Sequence, residues 1–138
     1  EALAAAFVEA LTTNESSFFR DGKPFEHLKR LLPRLAAARP PGQVLRIWSA
    51  ACSSGQEAYS VAMVASELGA ALAGRKVDIL GTDISREMLE RAKEGLFTQF
   101  EVQRGLPVQM LSSISARRVN AGVRRRSFVP WPAGSPST

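Results

Sequence analysis

Apolar positions recur at helical spacing through most of the first 111 residues, broken by two short apolar runs of strand character. Glu1 to Leu11 places Leu3, Phe7, Val8 and Leu11 on one face and reads as the end of a helix. Pro24 to about Leu35 carries Phe25, Leu28, Leu31, Leu32 and Leu35 as a stripe, and Pro24 suits a first helical turn. Pro33 is expected to kink that helix or end it early. Val44, Leu45, Ile47 and Trp48 lie between Pro40-Pro41-Gly42 and the stretch Ser49 to Gly55, as a buried parallel strand does. Helical spacing returns from Gln56 to about Leu72, with Gly74 as a stop. Val77 to Leu80 is a second strand with Gly81-Thr82-Asp83 at its carboxyl end. Ser85 then caps a helix, Glu87 suits its dipole, Met88, Leu89 and Ala92 face inward, and Gly95 closes it. Leu96 to Leu106 reads as an aromatic loop, and Pro107 to Leu111 begins another helix.

Strand, glycine-containing loop, helix and strand ending in an acid form the front half of a nucleotide-binding α/β unit. The predicted fold class is α/β, an incomplete parallel sheet with flanking helices. Ligands of such sheets sit outside the carboxyl ends of the strands, so Ala50 to Glu57 and Asp83 should face one crevice. The small-residue loop lets backbone approach a ligand. Asp83 is placed either to accept ribose hydroxyls or, with Ser85, to cap the next helix. The fingerprint G-x-G-x-x-G is absent, which argues against NAD or FAD and leaves a mononucleoside cofactor without phosphates, such as S-adenosylmethionine. Thr12 to Asp21 holds five small polar residues, an aromatic pair and a charge pair. Read from its residues alone, it is a helix break anchored by Phe18 and Phe19.

Residues 112–138 differ in character. They contain five arginines and no acid, little apolar periodicity, and the ending Trp131-Pro132-Ala133-Gly134-Ser135-Pro136. Val119 to Val129 is at best an exposed strand. The net charge of +5 lies wholly in this tail, because residues 1–115 carry 13 Lys and Arg against 13 Asp and Glu. The basic balance is therefore no sign of a nucleic-acid partner. The lone Cys52 excludes an internal disulfide, and His27, the single histidine, has no cluster around it, so no metal site is expected. No stretch is apolar enough to enter a membrane, and the first residues resemble a helix entered midway without a basic leader, so a cytoplasmic location is expected.

Four segments carry a resemblance. TTNESSFFRD (12–21), RIWSAACSSGQEAYSVAM (46–63), ILGTDISREMLERA (79–92) and GLFTQFEVQRGLP (95–107) are similar to the CheR family of chemotaxis receptor methyltransferases, which are protein-glutamate O-methyltransferases. The likeness covers about Leu11 to Leu111, with Ala58 where the family usually has proline. It implies a Rossmann-like methyltransferase fold, with residues 1–111 as a partial S-adenosylmethionine-binding domain and residues 112–138 as an irregular basic tail. It implies S-adenosylmethionine as cofactor, S-adenosylhomocysteine as product, and the cytoplasmic domain of a chemotaxis receptor as partner.

By resemblance, Asn14, Ser16, Arg20, Glu57 and Asp83 contact the cofactor, and Ala50, Ala51 and Gly55 lie against it backbone-first. The chemistry agrees: a carboxylate suits a ribose diol, Glu57 an ammonium group, and an arginine a carboxylate. The acceptor glutamate is ionised at neutral pH, so no general base is needed. The catalytic work is alignment and exclusion of water, and Arg20 is expected to orient the incoming carboxylate.

Other parts of the family pattern do not occur in these 138 residues. These are the later strands, an Asn-Leu pair near the adenine, a segment R-N-x-x-I-Y-F, most of a helical N-terminal domain, and a small β-subdomain found in some members. The tail is therefore expected to be out-of-frame or unrelated sequence on a truncated fragment. Such a fragment is either part of the methyltransferase or an inactive remnant with at most cofactor binding. Its exposed sheet edge is expected to drive self-association.

Overall fold

The computed structural model describes residues 2–111 and 128–130. The elements run α1 (Ala2–Leu11), α2 (Lys23–Ala37), β1 (Leu45–Ala50), α3 (Gln56–Leu68), a 3₁₀ turn (Gly69–Leu72), β2 (Val77–Asp83), α4 (Arg86–Glu94), α5 (Gln99–Gln103), α6 (Val108–Leu111) and β3 (Phe128–Pro130). The three strands form a parallel sheet in the order β1-β2-β3. Leu45 pairs with Val77, Trp48 with Leu80 and Ala50 with Thr82. The expected α/β class with its incomplete parallel sheet is the one observed.

The core lies on one side of the sheet. Leu45, Ile79 and Phe128 are buried there with Tyr59, Ala62 and Val64 of α3, and α2 packs onto α3 through Phe25, Leu32 and Ala36. Phe18, Tyr59, Phe97 and Phe128 stack as an aromatic cluster, with ring centroids 4.9 Å apart for Phe18–Phe97, 5.6 Å for Tyr59–Phe97 and 5.8 Å for Tyr59–Phe128. Parallel sheets are normally covered on both faces. Here Trp48 and Leu80 on the other face remain 57% and 43% exposed. Among the described residues, no strand pairs with the outer edge of β1.

Three expectations are corrected. First, of the kink or early end expected at Pro33, the early end does not occur, because α2 runs on to Ala37. Burial of Leu32 and Ala36, on either side of the proline, outweighs the one hydrogen bond lost there. Second, Leu96 to Leu106 is not all loop. Thr98 and Glu101 form a reciprocal capping box that starts α5, and Val102 is buried. Third, residues 112–138 are not irregular throughout, because Phe128–Pro130 adds β3 beside β2 with Phe128 only 1% exposed. The reading of an exposed strand over Val119 to Val129 also meets a buried Phe128, while residues 119–127 lie outside the described ones. The ring fits because the opposing residue is Gly81: a Cβ there would meet Phe128 at 2.7 Å and Cys52 Sγ at 3.0 Å.

Candidate functional site

A cavity of about 520 Å³ opens at the carboxyl end of the sheet. Thr12 to Ser17, Arg20 and Asp21 form one wall, the β1–α3 loop and the end of β2 form another, and Phe25, Leu28 and Val61 supply an apolar side. Asn14, Ser16, Arg20, Ala51, Glu57 and Asp83 all line it, so six of the eight residues named from sequence converge from three separate stretches.

Asp83 is 7% exposed and organises the floor. Its Oδ2 accepts the Ser53 N–H at 2.7 Å and its Oδ1 accepts the Ser85 N–H at 2.9 Å. The carboxylate therefore ties the β1–α3 loop to the start of α4. A carboxylate offers about four lone-pair sites, and two backbone partners leave roughly half of them for a ligand. Capping and ligand binding are thus compatible. Glu57, in the first turn of α3, accepts the Ser49 hydroxyl at 2.6 Å. Arg20 donates one N–H to the Glu15 carbonyl at 3.1 Å and has further donors available.

The Thr12–Asp21 segment is held from beneath. Phe18 is buried, and the Phe19 N–H donates to Ser60 Oγ at 3.0 Å. The aromatic pair anchors the segment, and its polar residues face the cavity. The backbone is strained around this site: Phe19 (φ 49°), Asp21 (φ 63°), Ala51 (φ 54°) and Ser53 (φ 49°) all stand in the left-handed region. Such conformations cost about 1–3 kcal/mol each and gather where a site must keep its shape.

Ala50 and Gly55 do not line the cavity. Ala50 is the last residue of β1, paired with Thr82. Gly55 has φ 95° and is buried, where a Cβ would lie 3.0 Å from Ala92 and 3.2 Å from the Tyr59 ring. Its smallness serves the packing of α3 against α4. Cys52 lines the cavity but is no nucleophile, because burial, reinforced by the charge of Asp83, pushes its thiol up to about 12. Among the described residues no group of three or more His, Cys, Asp or Glu side chains could hold a metal, and no helix is long and apolar enough to cross a membrane.

Sequence reasoning missed Glu9. Its Oε1 accepts the Ser85 hydroxyl at 3.0 Å and the Glu87 N–H at 3.2 Å, so α1 is tied to the N-terminus of α4 beside Asp83. The Glu87 N–H, helped by the Ser85 hydroxyl, lowers the carboxyl below its ordinary value of 4.5. A depressed folded value stabilises above the unfolded one and is lost as pH falls through it. The stability advantage of the parent chain over Glu9→Gln is therefore expected to be full at pH 7 and to vanish in melts taken progressively below pH 4.5.

Comparison with known proteins agrees with this geometry. The family described as CheR methyltransferase, SAM binding domain, matches residues 14–126. The chain belongs to this family. Chemotaxis protein methyltransferase 1 of Pseudomonas aeruginosa is 51% identical over 110 residues, covering 75% of this chain and 39% of that protein. Chemotaxis protein methyltransferase Cher2 of Pseudomonas putida is 43% identical over 107 residues, with the same coverage of both chains. The chemotaxis protein methyltransferase of Vibrio anguillarum is 47% identical over 107 residues, 75% of this chain and 38% of that one. The chain thus spans about two-fifths of the length of these curated relatives. The CheR match runs past Leu111 to residue 126, which corrects the expectation that the likeness stops where the arginines begin.

The cavity also fits the cofactor that the CheR family description names. It is of the size that holds small ligands. Its polar lining pairs two carboxylates, Asp83 and Glu57, with one guanidinium, Arg20, beside an apolar wall. That donor set matches a molecule with a diol, an ammonium group, a carboxylate and a flat apolar base.

Proposed function

We propose that this chain forms the cofactor-binding half of a methyltransferase acting on glutamate side chains of chemotaxis receptors, in the cytoplasm. The observation that carries the reading is the convergence of Asn14, Ser16, Arg20, Glu57 and Asp83 on one cavity in a CheR-family chain. Bound there, S-adenosylmethionine would supply a methyl carbon made electrophilic by its sulfonium. Asp83 would hold the ribose hydroxyls through the lone pairs its backbone partners leave. Glu57 would pair with the ammonium group, while Asn14 and Ser16 close over the ligand. Arg20 would hold the cofactor's carboxylate and orient the incoming glutamate. The chain's task is to align and to exclude water, because an ionised acceptor needs no base.

A second reading, cofactor binding without transfer, asks no more than the residues that line this cavity. Self-association belongs to the proposal as well. The open edge of β1 and the face bearing Trp48 and Leu80 are what a second copy would cover.

Calorimetric titration tests the cofactor site. S-adenosylhomocysteine is expected to bind with micromolar affinity, and Arg20→Ala to weaken it about ten-fold, the scale of one charge-assisted hydrogen bond. 5′-Methylthioadenosine lacks the amino-acid end, so its affinity should not change with Arg20→Ala. Absence of binding by the parent chain, or equal losses for both ligands, would sink this assignment. Methylation of receptor fragments separates the two readings.

A further inference from the structure

The stretch Gln103 to Pro107 belongs to the family-like segments, yet it does not line the cofactor cavity. It touches that cavity from behind. The Arg104 guanidinium donates to Glu15 Oε1 at 2.9 Å, across 89 positions of chain. Gly105 lies so close to the Phe18 carbonyl oxygen that a Cβ would collide with backbone. Glu15 itself lines the cofactor cavity. Behind it is a second, polar cavity of about 450 Å³, walled by residues 15–21 on one side and by Arg104 and Gly105 on the other. Residues 12–17 belong to no helix or strand. Within the Thr12–Asp21 segment, Glu15, Ser16, Ser17, Arg20 and Asp21 line both cavities, so the segment is a partition with open space on both sides.

The arm that reaches this partition is firm. The Arg104 N–H donates to the Phe100 carbonyl at 3.0 Å, closing α5. Glu101 in α5 receives Arg91 of α4 at 3.0 Å, and Val102 and Leu106 are buried. Burial works against the Glu101 charge, but the Thr98 amide and hydroxyl and Arg91 outweigh it and hold the carboxyl below its ordinary value.

We propose that Arg104 is a positioning residue: through Glu15 it sets where the Thr12–Asp21 partition stands, and with it the places of Asn14, Ser16 and Arg20. Its consequence for cofactor affinity rests on the function proposed above.

Amide exchange of the unliganded chain tests the partition itself. The Phe19 amide, bonded to Ser60, reports the partition, and an α3 amide such as Val64 reports the core. Arg104→Glu, which sets two acids face to face, is expected to speed exchange at Phe19 about five-fold, near the upper end for an exposed pair, while Val64 is unchanged. The swapped chain with both Arg104→Glu and Glu15→Arg should return within about two-fold of the parent, and Arg104→Lys should lose less than Arg104→Glu. Equal acceleration at both amides, or no recovery in the swapped chain, overturns the proposal. Titration with S-adenosylhomocysteine should follow the same order for the two Arg104 variants, weakened more in Arg104→Glu than in Arg104→Lys. If the parent chain binds none, the cofactor assignment falls, and the exchange data alone decide what Arg104 does.

Discussion

Phe128→Ala is expected to lower the stability of the chain by about 3–4 kcal/mol, seen as a fall of roughly 10–15 °C in the thermal midpoint. The side chain is fully enclosed, its ring stacks on Tyr59, and it fills the space that Gly81 leaves open in β2. β3 has three residues and pairs through Gly81↔Phe128, Thr82↔Val129 and Asp83↔Pro130. So short a strand holds its place by what it buries. The same substitution should loosen the carboxyl end of β2, where Asp83 sits. Val129→Ala, at a half-buried position, serves as control and should cost about 1 kcal/mol or less. A loss below about 1 kcal/mol for Phe128→Ala would remove β3 from the core.

Asp83→Asn is expected to cost about 2–3 kcal/mol of stability and at least about 100-fold in affinity for S-adenosylhomocysteine. The change keeps volume almost constant. Asp83 receives backbone N–H groups on both oxygens, from Ser53 and from Ser85. An asparagine has one oxygen, so its NH₂ must face one of those donors. Either the strained β1–α3 loop is released or the start of α4 is, and both border the cavity. Ser85→Ala removes a cap that receives the Met88 N–H and should cost only about 1 kcal/mol. Titration below the melting range of each variant separates binding from folding. An Asp83→Asn chain that melts and binds like the parent would show that neither oxygen matters.

The parts of the fold that were legible were those with local causes. The unit β1–α3–β2–α4 follows from apolar spacing, from Ser85 as cap and from Gly95 in the left-handed position that ends α4. The capping box of Thr98 and Glu101 was equally present in the sequence, but aromatic residues on an otherwise polar stretch hid a helix of only five residues. The burial of β3 escaped because the arginines before it dominate any reading by charge, whereas one buried ring decides its place. The candidate site was legible mainly through resemblance. The pattern of strand, loop, helix and strand already placed Ala51, Glu57 and Asp83 at one crevice, whereas nothing but resemblance brought Asn14, Ser16 and Arg20 to it. Glu9 with Ser85 and Arg104 with Glu15 were not legible, since they join positions 76 and 89 residues apart. The packing role of Gly55 was not legible, because the same small residue serves a close ligand and a close helix equally well.

Trp48 gives the molecule a built-in optical reporter. Its indole N–H donates to Thr82 Oγ1 at 3.0 Å, which fixes the ring on the sheet while most of it stays in water. Whatever comes to cover that face, a second copy or another protein, must dehydrate this ring first. Its emission should then move to the blue, with no label attached. The chain has two tryptophans, so Trp131→Phe leaves Trp48 as the only one. A dilution series read at one wavelength would then follow the closing of the sheet's open face directly.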